Sequence, residues 1–120
     1  MIAPTESQTE IVLRIASVYL RIGRPLRALH LLLAIPEGND PRPRRLAAGA
    51  NIALGRAGAA QRHLDVLEDL PATPAERAGD LARTLAVSVA LGRPEAGREA
   101  FAALLRHCDD HALDPWEFCE

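Results

Sequence analysis

The residues best suited to chemistry lie near the end of the chain, in the stretch RHCDDH. His107 and His111 are four residues apart, so a helix would place both imidazoles on one face, with Cys108 beside them. Imidazole and thiolate are both zinc ligands. The alternative is an exposed helix end, where the helix dipole favours a protonated histidine. We predict the helix end, and no metal site.

No catalytic motif accompanies this cluster. The sequence contains no phosphate-binding loop, dinucleotide fingerprint or nucleophile elbow. Ser7, Ser17 and Ser88 have no histidine close to them in the sequence, and His30 and His63 fall near apolar helix faces, as packed histidines do. The sequence therefore predicts that the protein is not an enzyme and needs no cofactor.

A second charged cluster, DPRPRR, places Arg42, Arg44 and Arg45 in the first turn of a predicted helix. Positive charge at a helix start opposes the helix dipole. Two interpretations remain open at this point. The cluster is either an exposed turn in an arginine-rich protein or a contact for acidic groups on a partner.

Composition indicates one helical domain. The chain has 120 residues, of which 48% are hydrophobic and only 3% aromatic, so its core must consist mainly of Ala, Leu, Val and Ile. That mixture favours helices over sheets. The net charge of −2 argues against a nucleic-acid partner, since such binders are normally basic.

Several features indicate a cytoplasmic protein. No apolar run reaches the roughly 20 residues that span a bilayer, so we expect no membrane insertion. The first ten residues, MIAPTESQTE, lack the basic and apolar regions of a signal peptide. Cys108 and Cys119 form neither a disulfide framework nor a zinc pattern. A reducing compartment is the simplest interpretation.

Three short breaks divide the helical pattern. Gly23-Arg24-Pro25 reads as the end of one helix and the immediate start of the next, because glycine ends helices cheaply and proline fits a first helical turn. Gly55 and Gly92 begin similar joints. Capping boxes are predicted at Ser7 and Thr73. The predicted helices are 7–22, 25–35, 41–54, 57–70, 74–91 and 94–108.

The joints indicate an internal repeat. The glycines are 32 and 37 residues apart, near the period of about 34 in tetratricopeptide repeats. Each is followed five residues later by a small residue: Ala28, Ala60 and Gly97. We predict three tetratricopeptide-like helix pairs over residues 1–110, stacked into a short right-handed α-solenoid with a concave groove. Residues 111–120 form a C-terminal tail or short extra helix.

The first helices of the second and third pairs, in the stretches LAAGANIAL and LARTLAVSVAL, are apolar around most of their circumference, which indicates burial on nearly all sides. Aligning the pairs on their glycines predicts that the following residues line a smooth, apolar groove: Leu13, Ser17, Leu20, Arg45, Gly49, Ile52, Ala53, Ala82, Ala86, Val89 and Ala90. Left exposed, this would be an unusually large apolar patch. We expect a partner's helix or extended peptide to cover it, the alternatives being the chain's own tail or self-association as a homodimer when no partner is present.

The chain resembles the YscY-type chaperones of bacterial type III secretion systems. The resemblance runs from about Thr5 to His107 and includes TESQTEIVL, YLRIGRPLRALHLLL and RPRRLAAGANIALGRAGAA. It implies a cytoplasmic chaperone that holds a small secreted protein of the YscX type and helps deliver it to the export gate. YscG-like and SycD-like chaperones are close competitors. The alternative from another class is a tetratricopeptide scaffold with no secretion role.

Overall fold

A computed structural model of the protein describes residues 4–119. Over that range the chain forms six α-helices, one short 3-10 helix and no strand, which confirms the predicted all-α class. The elements are α1 (Glu6–Arg21), α2 (Pro25–Leu32), α3 (Pro41–Ala53), α4 (Ala57–Leu67), α5 (Pro74–Ala90), α6 (Pro94–Asp110) and the 3-10 helix Pro115–Glu117. None of these described helices is long and apolar enough to cross a membrane.

Side-chain caps fix where two of the long helices begin. The Thr5 hydroxyl accepts a hydrogen bond from the Gln8 backbone N–H, and the Gln8 side chain accepts one from the Thr5 N–H. Helix α1 therefore begins directly after Thr5, and the capping box predicted at Ser7 is wrong. Thr73 and Glu76 form the capping box predicted for α5.

Each helix pair turns at a glycine in the left-handed region. The φ angle is 79° at Gly23, 73° at Gly55 and 68° at Gly92, values that glycine adopts without a Cβ clash. The residue after each glycine donates its N–H to the carbonyl five positions back, as in a Schellman motif. These bonds are Arg24 to Tyr19 at 2.8 Å, Arg56 to Asn51 at 2.7 Å and Arg93 to Ser88 at 2.9 Å. The three predicted joints are confirmed.

The helices pack in a regular order. Helix α1 packs against α2, α3 against α4, and α5 against α6, while α2–α3 and α4–α5 contacts join successive pairs. The first helices of neighbouring pairs also meet, α1 with α3 and α3 with α5. The resulting body is elongated, with extents of 44 × 28 × 25 Å.

Small residues form the closest helix contacts. Ala28, Ala60 and Gly97, which follow the three joints, are all buried, with Ala28 and Ala60 at 0% exposure. A side chain larger than alanine at these points would separate the two helices of a pair. The largest fully buried side chains in the described part of the chain are Leu67, Leu104, Val87 and Cys108.

Most predicted helix bounds agree with the structure to within two residues, and two do not. Helices α2 and α4 end three residues early, because tighter i+3 bonds replace the helical ones: Ile35 donates to Leu32 at 3.1 Å and Leu70 to Leu67 at 3.2 Å. Within α4, Leu64 and Leu67 are buried and define the inner face, whereas Val66 is 37% exposed.

Candidate binding groove

A depression of about 760 Å³ runs along α5, between α3 and the end of the chain. We call it the α5 groove. Its lining residues are Ile52, Gly79, Ala82, Arg83, Leu85, Ala86, Val89, Glu117, Phe118 and Cys119. It therefore brings together four of the residues predicted from the sequence, Ile52, Ala82, Ala86 and Val89.

Short apolar side chains form one wall of the α5 groove. Ala82, Ala86 and Val89 are spaced four and three residues apart, so they share one face of α5. Val89 is 70% exposed, Ala86 is exposed, and Ile52 of α3 is half-buried beside them. Because these side chains are short, a bound helix or extended segment could approach α5 closely.

Two charged residues at the margin make the α5 groove less uniformly apolar than predicted. The Arg83 guanidinium lies 3.4 Å from the Asp80 carboxylate. Burial lowers the pKa of Arg83. The Arg83 side chain extends across Gly79, where a Cβ would approach Arg83 Nη1 to 3.1 Å, so glycine leaves room for the guanidinium. Glu117 supplies a carboxylate from the tail. The groove can therefore orient polar groups of a partner as well as bury apolar ones.

Arg45, predicted in the groove, is engaged within the protein. Its guanidinium donates to the Asp80 carboxylate from Nε at 3.1 Å and from Nη2 at 3.0 Å, and to Glu76 from Nη1 at 3.1 Å. The Arg45 and Asp80 side chains are only 11% and 7% exposed. This ion pair joins α3 to α5, so Arg45 contributes to the fold and is not a free cation for a partner.

The other two arginines of the DPRPRR turn also contact neighbouring elements. Arg42 pairs with Glu10 of α1 and with Asp40, whose pKa it lowers through side-chain hydrogen bonds. Arg44 Nη1 lies 3.4 Å from His63 Nδ1 in α4. Burial, then the nearby Arg44 charge, lowers the pKa of His63. These contacts favour an intramolecular role for the turn over an acidic contact on a partner.

The first helix pair leaves little of the predicted groove open. Leu13, predicted to line it, is 6% exposed and lies in the core, because α2 and α3 cover it. Leu20 packs toward α3, where its Cδ2 would lie 3.3 Å from a Cβ on Gly49. Ser17 is half-buried. Gly49 thus lets α1 and α3 pack closely, which closes the surface at this end.

The remaining two predicted positions lie at the C-terminal ends of α3 and α5. Ala53 and Ala90 are both exposed. Ala90 lines a small hollow of about 50 Å³ that shares Ile52 and Ala86 with the α5 groove. These alanines extend the accessible apolar surface by a short distance.

The tail after α6 folds back over one end of the α5 groove. Phe118 and Cys119 pack against an apolar cluster of α5 and α6 and also line the groove. Asp114 caps the 3-10 helix by accepting the Trp116 N–H at 3.0 Å, and the Trp116 side chain stays 69% exposed. The tail therefore covers part of the predicted surface and leaves Ala86 and Val89 open.

The histidine cluster at the end of α6 has structural contacts. His107 Nε2 lies 2.7 Å from the Pro74 carbonyl oxygen, and its ring centroid is 4.6 Å from that of His111. The neighbouring Cys108 lies in the core, at 1% exposure. Between residues 4 and 119, no three His, Cys, Asp or Glu side chains are grouped closely enough to hold a metal ion.

An exposed apolar stripe on α1 was not predicted from the sequence. Ile11, Ile15 and Val18 of α1 and its C-cap residue, Ile22, are spaced four, three and four residues apart and are 42–62% exposed. We call them the α1 stripe. The helical spacing of these four apolar residues was visible in the sequence, as a second apolar face of α1 besides the one that contains Leu13. The stripe faces away from α2 and α3, which cover that other face.

A cleft of about 390 Å³ between α2, α3 and α4 also escaped prediction. Its walls include Leu29, Ile35 and Ala47, and Arg44 and His63 lie at its margin. The loop between α2 and α3 shapes this cleft, and no residue pattern in that loop indicated its path.

In chemical terms, the α5 groove offers an apolar wall that can exclude water and two charged groups that can orient a partner. Comparisons of the chain with protein-family models, with curated proteins and with solved structures return no match. Among the described surfaces, the α5 groove combines the most of the predicted site residues with an open face.

Proposed function

We propose that this protein is a tetratricopeptide-like binding module that acts as a type III secretion chaperone. In this proposal the α5 groove holds an apolar segment of a small secreted protein of the YscX type, as a helix or an extended peptide. The chaperone keeps that partner soluble in the bacterial cytoplasm and helps deliver it to the export gate. It performs no catalysis and needs no cofactor.

The solenoid part of the proposal is supported by repetition within the fold. Three helix pairs turn at glycines of nearly equal φ, with the same backbone bonds around each. Each pair contacts the next in the same two ways. The second helix of one pair packs on the first helix of the next, and the first helices of the two pairs also meet. Stacked helix pairs of this kind present the first helices on one common surface.

The observation that carries the binding role is the exposure of Ala86 and Val89 beside Ile52 in the α5 groove. Covering an exposed Val or Ile side chain contributes up to about 1.5–3 kcal/mol. Only part of this gain appears as affinity, because association and ordering cost entropy. A handful of such contacts is enough for a partner whose own apolar segment would otherwise face water.

The secretion role rests on the resemblance of the sequence to YscY-type chaperones. The segments that carry it include the first joint, YLRIGRPLRALHLLL, and the RPRRLAAGANIALGRAGAA block. These segments form the turn from α1 to α2 and the hairpin of α3 and α4.

Affinity purification from a secreting bacterium tests the proposal directly. The tagged protein is produced in a bacterium that carries a type III secretion system, and its bound proteins are identified by mass spectrometry. We expect a small secreted component of that system to co-purify. Co-expression of that component should raise the melting temperature, since a ligand at about 100 times its Kd adds about 2.7 kcal/mol to stability.

Matched variants separate the groove from the rest of the surface. Ala86→Glu and Val89→Glu should abolish co-purification, because each places a charge on the apolar wall while changing an exposed residue. Leu33→Glu, at a position that is 82% exposed and outside the α5 groove, should not. Retention of the partner by both groove variants would show that the groove assignment is wrong. Absence of any secreted component from the wild-type preparation would refute the secretion role.

A scaffold module is the second candidate, and the α1 stripe favours it. Its four side chains face outward from α1, as they would if a further helix packed on that side. Such a scaffold would assemble from copies of this chain, which associate through the stripe. Light scattering on wild type and Ile22→Glu tests this: loss of self-association in the variant supports the scaffold, and a monomeric wild type removes it.

A further inference from the structure

The end of the chain returns to the helix it has just left. Helix α6 closes at Asp110, and the Leu113 N–H donates to the Cys108 carbonyl at 2.8 Å. Ala112 takes a positive φ of 55°, which reverses the chain direction. The 3-10 helix Pro115–Glu117 then carries the last described residues back along α5 and α6.

This reversal brings the two cysteines of the chain into one apolar cluster. Cys108 is buried in that cluster with Ala78, Ala82 and Leu104, at 1% exposure. Cys119 packs against the same cluster and is half-buried, with one side lining the α5 groove. Both cysteines are free thiols. The Cys119 side chain is also close enough for its charge to contribute to a raised pKa of Cys108, after the larger contribution of burial.

We propose that Cys108 and Cys119 form an intramolecular disulfide when the protein meets a disulfide oxidant such as oxidised glutathione. The bond fixes the C-terminal tail against α5 and α6. Sequence spacing alone gave no such indication, since the two residues lie eleven positions apart with a helix end between them.

The reaction proceeds by two thiol–disulfide exchanges. Cys119, the more exposed thiol, loses its proton to solvent, attacks one sulfur of oxidised glutathione and releases one glutathione thiolate. Cys108 then loses its proton and attacks the Cys119 sulfur of the mixed disulfide, which releases the second glutathione. Two protein thiols become one disulfide, and one oxidised glutathione becomes two reduced ones. The second step is the slow one, because burial raises the pKa of Cys108.

The position of Cys119 also links this disulfide to the α5 groove. Phe118 and Cys119 form the tail's side of that groove. A fixed tail would keep that end covered, whereas a free tail could move aside for a longer partner segment. This consequence rests on the proposed function, while formation of the disulfide does not.

Equilibration in glutathione redox buffers tests the proposal. The full-length protein is incubated at several ratios of reduced to oxidised glutathione, quenched with acid, alkylated and analysed by mass spectrometry. Trypsin cleaves after Arg106, so one peptide, 107–120, contains both cysteines. We expect this peptide to lose two hydrogen atoms and to carry neither alkyl group nor glutathione, while the protein shows no disulfide-linked dimer on a non-reducing gel.

The same titration in concentrated urea is the control for the fold. Ten residues separate the two cysteines, so the unfolded chain closes the same ring with some frequency. If the fold positions the thiols, the equilibrium constant should be at least about tenfold higher in native protein, which corresponds to about 30 mV in reduction potential. An equal or lower constant in native protein would overturn the proposal.

Cysteine variants identify the order of reaction. Cys119→Ser should leave Cys108 unmodified in native protein, because oxidised glutathione cannot reach a thiol that is 1% exposed. Cys108→Ala should accumulate the mixed disulfide at Cys119. A wild-type product that stops at glutathionylated Cys119, or that consists of disulfide-linked dimers, would contradict the proposal whatever the α5 groove binds.

Discussion

The substitution Asp80→Asn probes the contact that joins the second helix pair to the third. Asp80 is 7% exposed in its side chain and accepts hydrogen bonds from Arg45 at 3.0 and 3.1 Å, and one at 3.4 Å from Arg83. An amide keeps the size of the side chain and removes its charge. Arg45, at 11% exposure, then remains buried with only Glu76 as a counterion. Breaking a buried ion pair in this way costs about 3–5 kcal/mol.

That loss is large against a total stability of about 5–15 kcal/mol for a domain. Urea unfolding followed by far-UV circular dichroism measures it as a lower midpoint at unchanged slope. Glu76→Gln is the matched control, because Glu76 contacts the same arginine from a side chain that is 42% exposed. Solvent screens the ion pair between Glu76 and Arg45, so losing this pair should lower the free energy of unfolding by no more than about 1 kcal/mol. The two variants therefore differ mainly in whether the carboxylate they remove is buried or exposed.

A double variant completes the test. Removing the arginine together with the carboxylate, as Arg45→Met with Asp80→Leu, should recover much of the stability lost by Asp80→Asn, because the buried Arg45 charge is removed with its partner. If Asp80→Asn is no worse than Glu76→Gln, the Arg45–Asp80 pair does not hold α3 and α5 together and the reasoning fails.

Two further predictions concern a helix joint and a half-buried histidine. Gly55→Val should lower stability by about 1–2 kcal/mol or more, because φ is 73° and the only cost is backbone strain. Gly58→Ala, in equally open space within α4, should instead leave stability unchanged or raise it by up to about 1 kcal/mol. Equal urea midpoints for the two variants would show that the helix joint does not depend on Gly55. For His63, burial holds the folded-state pKa below the ordinary 6.5. The stability that the neutral imidazole gives the fold is therefore fully present above pH 6.5 and is lost as pH falls toward the folded-state pKa. His63→Gln should therefore flatten the dependence of urea stability on pH across this range. A pH profile that is unchanged from wild type would count against the lowered pKa of His63.

Local chemistry was readable from the sequence because it depends on neighbouring residues. Glycine at positive φ and proline in a first turn end and restart helices whatever surrounds them. Gly23, Gly55 and Gly92 were therefore identified correctly, and so was the capping box at Thr73. The box at Ser7 failed because two overlapping cap patterns compete there, and Thr5 with Gln8 prevails.

The groove depended on distant residues, and so it was only partly predictable. Periodicity identified α5 as apolar, and Ala82, Ala86 and Val89 lie together on the α5 groove. It did not indicate that Arg45 would meet Asp80, 35 residues away, or that Leu20 would close onto Gly49. Those contacts convert three predicted groove positions, Leu20, Arg45 and Gly49, into packing.

The sequence by itself determined the helices, their three turns and the small residues at which each pair closes. These follow from backbone conformations and side-chain volumes that each residue carries with it. Only the tertiary structure decided which apolar faces are covered, which side chains the DPRPRR arginines contact, and that the tail returns Cys119 to the cluster of Cys108. Burial and ion pairing are set by residues far apart in the chain, so they exist only once the helices have packed.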